Sequence, residues 1–215
     1  MILTASHEQL IQTLLDRART RMSERRLMHV IGVTHVITIL AEIHKLDREA
    51  AVMAALVHDQ SKELTPEKIE HDLNRYGEPL DGIDREFPRV WHGLHAAAWA
   101  RHDLGIRDEA VLEATALHST TDAEIGPLTR ALYIADVCEP GRRNAAAGRL
   151  MAIAKADLDE GFRKALVHKI RYMIEDQHAR LHPRSIRALK AWVGTEGMQA
   201  LGLEPTAEPV AQGKS

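Results

Sequence analysis

The sequence predicts an all-α protein built as one helical bundle. Apolar residues recur at helical spacing from one end of the chain to the other, and the alternating pattern of strands is nearly absent. The composition, 45% hydrophobic and 27% charged, is typical of a folded globular protein. We therefore expect a single domain over residues 1–203, followed by a disordered tail over 204–215, which holds two prolines and few large apolar side chains.

Capping signals place the first three helices. Ser6 and Gln9 form a capping box, and the helix they begin should end near Met22. A second, strongly apolar helix should end near Lys45, and Asp47 then caps the third. Because the run "AAVMAALV" offers almost no polar face, we expect this third helix to be central and buried.

The later elements follow from proline and glycine signals. Thr65 followed by Pro66 begins a fourth helix that stops at Gly77. Residues 78–88, rich in glycine, proline and acidic side chains, predict a loop and a candidate mobile lid. The remaining helices are predicted over about 89–104, 108–118, 127–137, 144–155, 157–180 and 183–193.

Charge and cysteine content exclude some classes of function. Lysine and arginine number 28 against 31 acidic residues, a net charge of -3, so no basic field favours nucleic acid as a partner. The single cysteine, Cys138, fits a reducing compartment. We find no secretory signal and no stretch close to the roughly 20 apolar residues of a membrane span, and therefore expect a cytoplasmic protein with no membrane partner.

Histidine is over-represented, and one histidine stands beside an aspartate at the end of an apolar helix. The chain has 13 histidines against two phenylalanines and three tyrosines. Burying His58 and Asp59 side by side costs several kcal/mol unless a cation neutralises and orients them. Since adjacent helical residues point about 100° apart, the pair can share an ion only at a helix end, or with the carboxylate bridging two ions. Both cases predict a metal.

Four further metal-ligand types lie in or beside apolar stretches of other helices. They are His29, His92, His118 and Asp136. Together the segments "RLMHVIGVT", "ALVHDQSKEL", "PRVWHGLHAA", "ALHSTT", "LYIADVCEPGR" and "RLHPRSIRALKAW" resemble the HD-domain metal-dependent phosphohydrolase superfamily. More closely, the chain resembles its YqeK-type branch, the symmetrical diadenosine tetraphosphate hydrolases, over about residues 8–193.

The resemblance implies a metal centre. Its ligands would be His29, His58, Asp59 and Asp136, with Asp59 also counted as catalytic. Iron is the metal expected from the family, although two imidazoles and two carboxylates also suit manganese or zinc. His92 and His118 match histidines that either bind a second ion across Asp59 or contact substrate phosphate, so one or two ions remain open.

The resemblance also implies a set of substrate contacts. Lys62, four residues after His58, would stabilise charge on a phosphate or leaving group and thus count as catalytic. The remaining matches are Arg26, Arg142, Thr120 and Thr121, for which phosphate or ribose contacts and structural roles are both open.

Other positions are assigned less directly. Asp122 and Gln60 depart from the family pattern, and Asp122 places a negative charge near a polyphosphate. His95 could line the pocket, but no family ligand falls there, and His182 before Pro183 is expected to begin a helix.

The function predicted is metal-dependent hydrolysis of dinucleoside polyphosphates, with diadenosine tetraphosphate cleaved to two ADP. One alternative keeps the fold and metal but changes the substrate to a cyclic dinucleotide, a nucleoside monophosphate or a deoxynucleoside triphosphate. Another is a nucleotide-binding protein without turnover, and a third is a di-iron oxygenase. A homodimer is left open.

Overall fold

The computed structural model describes residues 7–142, 145–175 and 179–203. These residues form helices and turns and contain no strand, which confirms the all-α prediction. The tail predicted over 204–215 lies outside the described residues. The α-helices are α1 (His7–Arg21), α2 (Glu24–His44), α3 (Arg48–Val57), α4 (Pro66–Tyr76), α5 (Trp91–Asp103), α6 (Glu109–Leu117), α7 (Pro127–Cys138), α8 (Ala147–Ala156), α9 (Leu158–Glu175), α10 (Pro183–Trp192) and α11 (Gly194–Gln199).

The predicted caps on α3 and α4 are confirmed. The Asp47 carboxylate accepts the amide of Ala50, and the Thr65 hydroxyl accepts the amide of Lys68. Gly77 ends α4 in the left-handed region, with φ +74°, a conformation that costs glycine nothing. The Thr65 cap fixes the end of the turn that joins α3 to α4, and this turn carries the His58–Asp59 pair.

The core lies around α2, α3 and α7. α2 packs against α3 and α7, and α7 packs in turn against α6 and α9. Fully buried side chains such as Ile37, Leu40, Val57, Leu132 and Ile134 fill this centre, each contributing about 1.5–3 kcal/mol. The packing places the ends of α3 and α7 beside the first half of α2, and the end of α6 beside the end of α3.

α2 corrects the prediction that no stretch reaches the length of a membrane span. Glu24–His44 is long and apolar enough to cross a membrane by composition. Its buried face, which includes Val30, Val33 and Ile37, packs into the protein core. The apolar composition therefore has a structural explanation within the bundle.

Helix bounds differ from the prediction in several places, among them the start of α5 and the end of α9, and one helix was missed. α5 begins at Trp91, after a short 3-10 turn over Pro88–Val90. α9 ends at Glu175, whereas the prediction continued it to residue 180, and the amide of Ala179 donates to the carbonyl of Met173. The sequence gives no clear signal for α11, whose buried residue is the isolated methionine Met198.

The segment predicted as a mobile lid is tied to the body of the protein. Asp84, buried in this segment, accepts hydrogen bonds from Nη1 and Nη2 of Arg184 at 2.7 and 2.9 Å. His182 Nε2 lies 3.0 Å from the same carboxylate, and its Nδ1 accepts the amide of Arg184. His182 is therefore the N-cap of α10, as predicted, and also anchors the loop. A buried carboxylate needs such partners, and they hold the segment down.

Asp84→Asn is expected to lower the free energy of unfolding at pH 7 by about 3 kcal/mol, because it breaks a buried charged pair. Although burial raises the pKa of Asp84, the hydrogen bonds from His182 and Arg184 lower it overall. The stabilisation is thus present above the usual carboxyl pKa and is lost as the pH falls below it. Urea unfolding at pH 7 and near pH 3 should show the difference between variant and wild type shrinking.

Glu86→Gln is the matched control, because Glu86 pairs with Arg180 in an exposed position in the same segment. Its unfolding free energy should stay close to that of wild type. An equal loss in both variants would contradict a specific role for the buried carboxylate.

Candidate metal centre

Five helices bring the six predicted ligand residues into one buried cluster. His29 comes from α2 and His92 from the first turn of α5, while the other four stand at or just beyond helix ends. The cluster consists of His29, His58, Asp59, His92, His118 and Asp136, each no more than 9% exposed.

Asp59 lies at the centre of the cluster, and its two oxygens face different groups. Oδ2 is 3.4 Å from His29 Nε2 and 3.5 Å from His58 Nε2. Oδ1 is 3.4 Å from His92 Nε2 and 3.7 Å from His118 Nε2. Asp136 joins the first group, with Oδ1 3.3 Å from His29 Nε2. The carboxylate of Asp59 thus separates two half-sites.

Three of the histidines present an unprotonated nitrogen to the centre. Nδ1 of His58, His92 and His118 faces the main-chain carbonyl three residues earlier, at 2.7, 3.0 and 2.8 Å. A carbonyl oxygen can only accept, so Nδ1 carries the proton and Nε2 keeps its lone pair. Burial lowers the pKa of His58 to about 4, which holds this ring neutral.

The Nε2 atoms of the four histidines lie close together in pairs, an arrangement that fits a divalent metal. Nε2 of His92 and Nε2 of His118 are 3.0 Å apart, and those of His29 and His58 are 3.4 Å apart. Ligand atoms of His29, His58 and Asp136, and separately of His58, Asp59 and His118, lie within 4.8 Å of one another. Imidazole and carboxylate together suit iron, manganese or zinc. The donor set therefore fits the metal that the sequence predicted.

Residues 26–141, more than half of the chain, match the family model of the HD domain. The chain belongs to the HD domain family. A solved structure from Clostridium acetobutylicum, described as a predicted HD superfamily hydrolase involved in NAD metabolism, superposes on this HD protein with a TM-score of 0.78. The two are 32% identical, and the alignment covers 85% of this chain and 96% of the other.

Two curated relatives carry the name "Bis(5'-nucleosyl)-tetraphosphatase, symmetrical". The one from Bacillus subtilis is 25% identical over 73% of this HD protein and 84% of the relative. The one from Halalkalibacterium halodurans is 28% identical over 75% and 86%.

A buried glutamate that the sequence analysis missed orients His29. Glu139, directly after α7, places Oε1 3.2 Å from His29 Nδ1, and Oε2 accepts the amide of Gly141 at 2.6 Å. A Cβ at position 32 would lie 2.7 Å from Oε2, so Gly32 on α2 leaves room for the carboxylate. With Nδ1–H donated to Glu139, Nε2 of His29 is the ring nitrogen that faces the centre.

Glu139→Ala is expected to weaken Mn²⁺ binding about 10- to 100-fold while the helical content is kept, since His29 loses the partner that fixes its ring. Isothermal titration calorimetry with Mn²⁺ measures the effect. Glu67→Ala, on the exposed side of α4, is the control and should bind like wild type. Equal affinity in the Glu139 variant would mean that this carboxylate does not position a ligand.

Four cationic side chains surround the cluster. Arg26 contacts Asp59 Oδ2, and Lys62 Nζ lies 3.2 Å from His92 Nε2. The two remaining cations meet at Asp136: Arg142 Nη2 is 2.6 Å from Oδ1, and Lys169 Nζ is 3.1 Å from Oδ2. Although burial raises the pKa of Asp136, the charges of Lys169 and Arg142 help hold it well below its usual range.

Lys169 was missing from the sequence prediction. It lies on α9, outside the motifs of the HD family resemblance, and also donates to the carbonyl of His118. Ser119 was missed as well, and its Oγ is 3.1 Å from Nε2 of both His92 and His118.

The two predicted threonines stand beneath the surface of the HD protein. Thr120 is 3% exposed and Thr121 is fully buried, and neither hydroxyl has a hydrogen-bond partner among the described residues. The main-chain carbonyl of Thr120 accepts the hydroxyl of Ser185, which joins this turn to α10. Thr121 has φ +56°, an unusual conformation for a β-branched residue. Direct contact of these hydroxyls with a substrate stays a prediction.

The two departures from the family pattern have local partners. The carboxylate of Asp122 accepts two hydrogen bonds from Arg187, at 2.9 and 2.6 Å, so its negative charge is paired. The buried amide of Gln60 donates to the carbonyls of Leu56 and Leu14, which fastens the turn after α3 to α1.

Proposed function

We propose that this protein hydrolyses dinucleoside polyphosphates and cleaves diadenosine tetraphosphate symmetrically to two ADP. The observation that carries the proposal is the buried cluster centred on Asp59, with four cations around it, in a chain of the HD family. The relatives from B. subtilis and H. halodurans, which bear the name of this activity, support the substrate assignment over most of their length.

We further propose that the centre holds two divalent ions with Asp59 between them. One half-site would use His29, His58 and Asp136, and the other would use His92 and His118. Iron is the metal expected from the family, with manganese and zinc as the alternatives. When bound, such ions lower the pKa of coordinated water, polarise a phosphoryl oxygen and offset the negative charge of the substrate.

The residues around the centre would bind and orient the polyphosphate. Lys62 and Arg142 are both exposed residues at the cluster, and we propose that their cationic groups pair with phosphate oxygens. Arg26 contacts Asp59, whereas Arg142 contacts Asp136, so the two cations approach different carboxylates of the cluster. Positive charges at these positions would hold the phosphate chain across the centre and stabilise charge that develops on the leaving group.

A cavity beside the centre is the proposed place for one nucleoside. It has a volume of about 340 Å³ and opens next to Lys62 and His92. Its other lining residues are Leu64, Pro66, Ile69, Pro88 and Arg89. Small-ligand sites typically have apolar walls with a few polar or charged groups at defined positions. Here the cationic side chains lie where the phosphate chain would extend from the bound nucleoside.

The proposal is tested by incubating the protein, loaded with Mn²⁺ or Fe²⁺, with a panel of nucleotides. The panel contains diadenosine tetraphosphate, a cyclic dinucleotide, a nucleoside monophosphate, a deoxynucleoside triphosphate and NAD, the last because of the description of the C. acetobutylicum structure. We expect diadenosine tetraphosphate to have the highest kcat/KM. Preference for another nucleotide, nucleotide binding without turnover, or consumption of dioxygen would contradict the proposal.

We also propose that the protein works in a reducing compartment such as the cytoplasm, which its single cysteine, Cys138, fits. A homodimer remains a prediction.

A further inference from the structure

Next to the metal centre, three buried polar residues from three different elements form a continuous hydrogen-bonded chain. Ser61 lies in the turn after α3, His95 lies on α5 and Asp72 lies on α4. Ser61 Oγ is 2.7 Å from His95 Nδ1, and His95 Nε2 is 3.2 Å from Asp72 Oδ2. Their exposures are 2%, 2% and 6% in the same order, so the chain is closed off from solvent.

The direction of each hydrogen bond follows from the chemistry of the groups. The carboxylate of Asp72 also accepts Lys68 Nζ at 2.6 and 2.7 Å, so it is held ionised and can only accept. His95 therefore donates Nε2–H to Asp72. Burial lowers the pKa of His95, so the ring is neutral, and its Nδ1 accepts the hydroxyl of Ser61.

The chain joins the two elements that supply opposite sides of one half-site. Ser61 is two residues after Asp59 and next to Lys62, in the same turn. His95 is one helical turn after His92 on α5. The bond between Ser61 and His95 therefore spans the same gap that Asp59 Oδ1 and His92 Nε2 span at 3.4 Å.

A serine, a histidine and an aspartate in a row can also form a nucleophilic triad, but this one is not built for that role. Ser61 is almost completely buried, and neither Ser61 nor His95 lines the cavity beside the centre. A nucleophile must reach the substrate. The chain is therefore suited to hold other residues in place.

We propose that His95 is a positioning residue: through Ser61 it holds the turn that carries Asp59 and Lys62 against α5, and Asp72, by accepting Nε2–H, leaves Nδ1 free to accept from Ser61. The inference rests on the proposed function in one respect, that Asp59 and His92 bind a metal ion. Nothing in the family resemblance assigns a role to His95.

Two substitutions at position 95 separate the two hydrogen bonds. In His95→Asn, the side-chain oxygen can take the place of Nδ1 and accept from Ser61, whereas the bond to Asp72 is lost. In His95→Gln, the side-chain amide can take the place of Nε2 and donate to Asp72, whereas the bond to Ser61 is lost. If the role of His95 were merely structural, the loss of either hydrogen bond would be harmful.

The experiment is a Mn²⁺ titration by calorimetry, together with kcat and KM for diadenosine tetraphosphate. We expect His95→Gln and Ser61→Ala to weaken Mn²⁺ binding about 10- to 100-fold and to lower kcat, whereas His95→Asn stays within about threefold of wild type. The double variant His95→Gln/Ser61→Ala should bind Mn²⁺ no more weakly than either single variant, because both substitutions break the same hydrogen bond. The control is His102→Gln on the same helix. His102 contacts Glu78 instead, so this variant should behave like wild type.

Ser61→Ala removes one oxygen atom and serves if the substitutions at position 95 prevent folding. Wild-type affinity in folded Ser61→Ala, or equal losses in His95→Asn and His95→Gln, would overturn the inference alone. A wild-type protein that binds neither Mn²⁺ nor Fe²⁺ would overturn the proposed function and the inference with it.

Discussion

Asp59→Ala is expected to abolish both metal binding and hydrolysis. The two carboxylate oxygens of Asp59 face all four histidines of the cluster, at 3.4–3.7 Å from their Nε2 atoms. Alanine offers no ligand, and the position is too enclosed for a surface side chain to replace it. Elemental analysis of the purified variant should find no bound iron, manganese or zinc, and product formation should fall to that of a blank without enzyme.

Asp16→Ala, at an exposed position on α1, is the control and should keep its metal and activity. Circular dichroism checks that both variants retain their helices. An unchanged metal content in folded Asp59→Ala would show that the ligand assignment is wrong.

Lys62→Ala is expected to lower kcat/KM by about 10- to 1,000-fold without changing the metal content. That is the range for removing one electrostatic donor to a phosphoryl group. Lys62 lies in the same turn as Asp59, and its Nζ is 3.2 Å from His92 Nε2, so it adjoins the centre without being a ligand type for the metal. Steady-state kinetics and elemental analysis on the same sample separate the two effects.

The matched control is Lys190→Ala, on the exposed side of α10, which should have wild-type kinetics. If Lys62→Ala also has wild-type kinetics, Lys62 has no role in the reaction. If it loses its metal, Lys62 acts on the centre itself and not on the substrate.

The buried cluster of histidines and aspartates could be predicted because its members stand out locally and because their order along the chain matches the HD family resemblance. His58 and Asp59 follow a run of apolar residues in which polar side chains are costly, and His29, His92, His118 and Asp136 lie in similar surroundings. Caps such as Asp47 and Thr65 could be predicted from local sequence as well, since each accepts an amide three residues away.

The partners of those residues could not be predicted, because packing between distant elements brings them together. Glu139 meets His29 across 110 positions, and Asp84 meets Arg184 across 100. Nothing in the local sequence of either carboxylate indicates burial. His95 was considered only as a residue lining the pocket, since its bonds to Ser61 and Asp72 depend on how α4 and α5 pack.

The position at which diadenosine tetraphosphate is cleaved separates symmetrical hydrolysis from attack near one end of the phosphate chain. Symmetrical cleavage requires the centre to lie about midway along the bound phosphate chain, with Lys62 and Arg142 available to hold oxygens on either side of it. Asp122, whose charge is paired with Arg187, should not disturb this arrangement. Chromatography of the products formed from diadenosine tetraphosphate with Mn²⁺ or Fe²⁺ is the measurement. We expect ADP as the only product, and AMP and ATP in equal amounts would show that cleavage is not symmetrical.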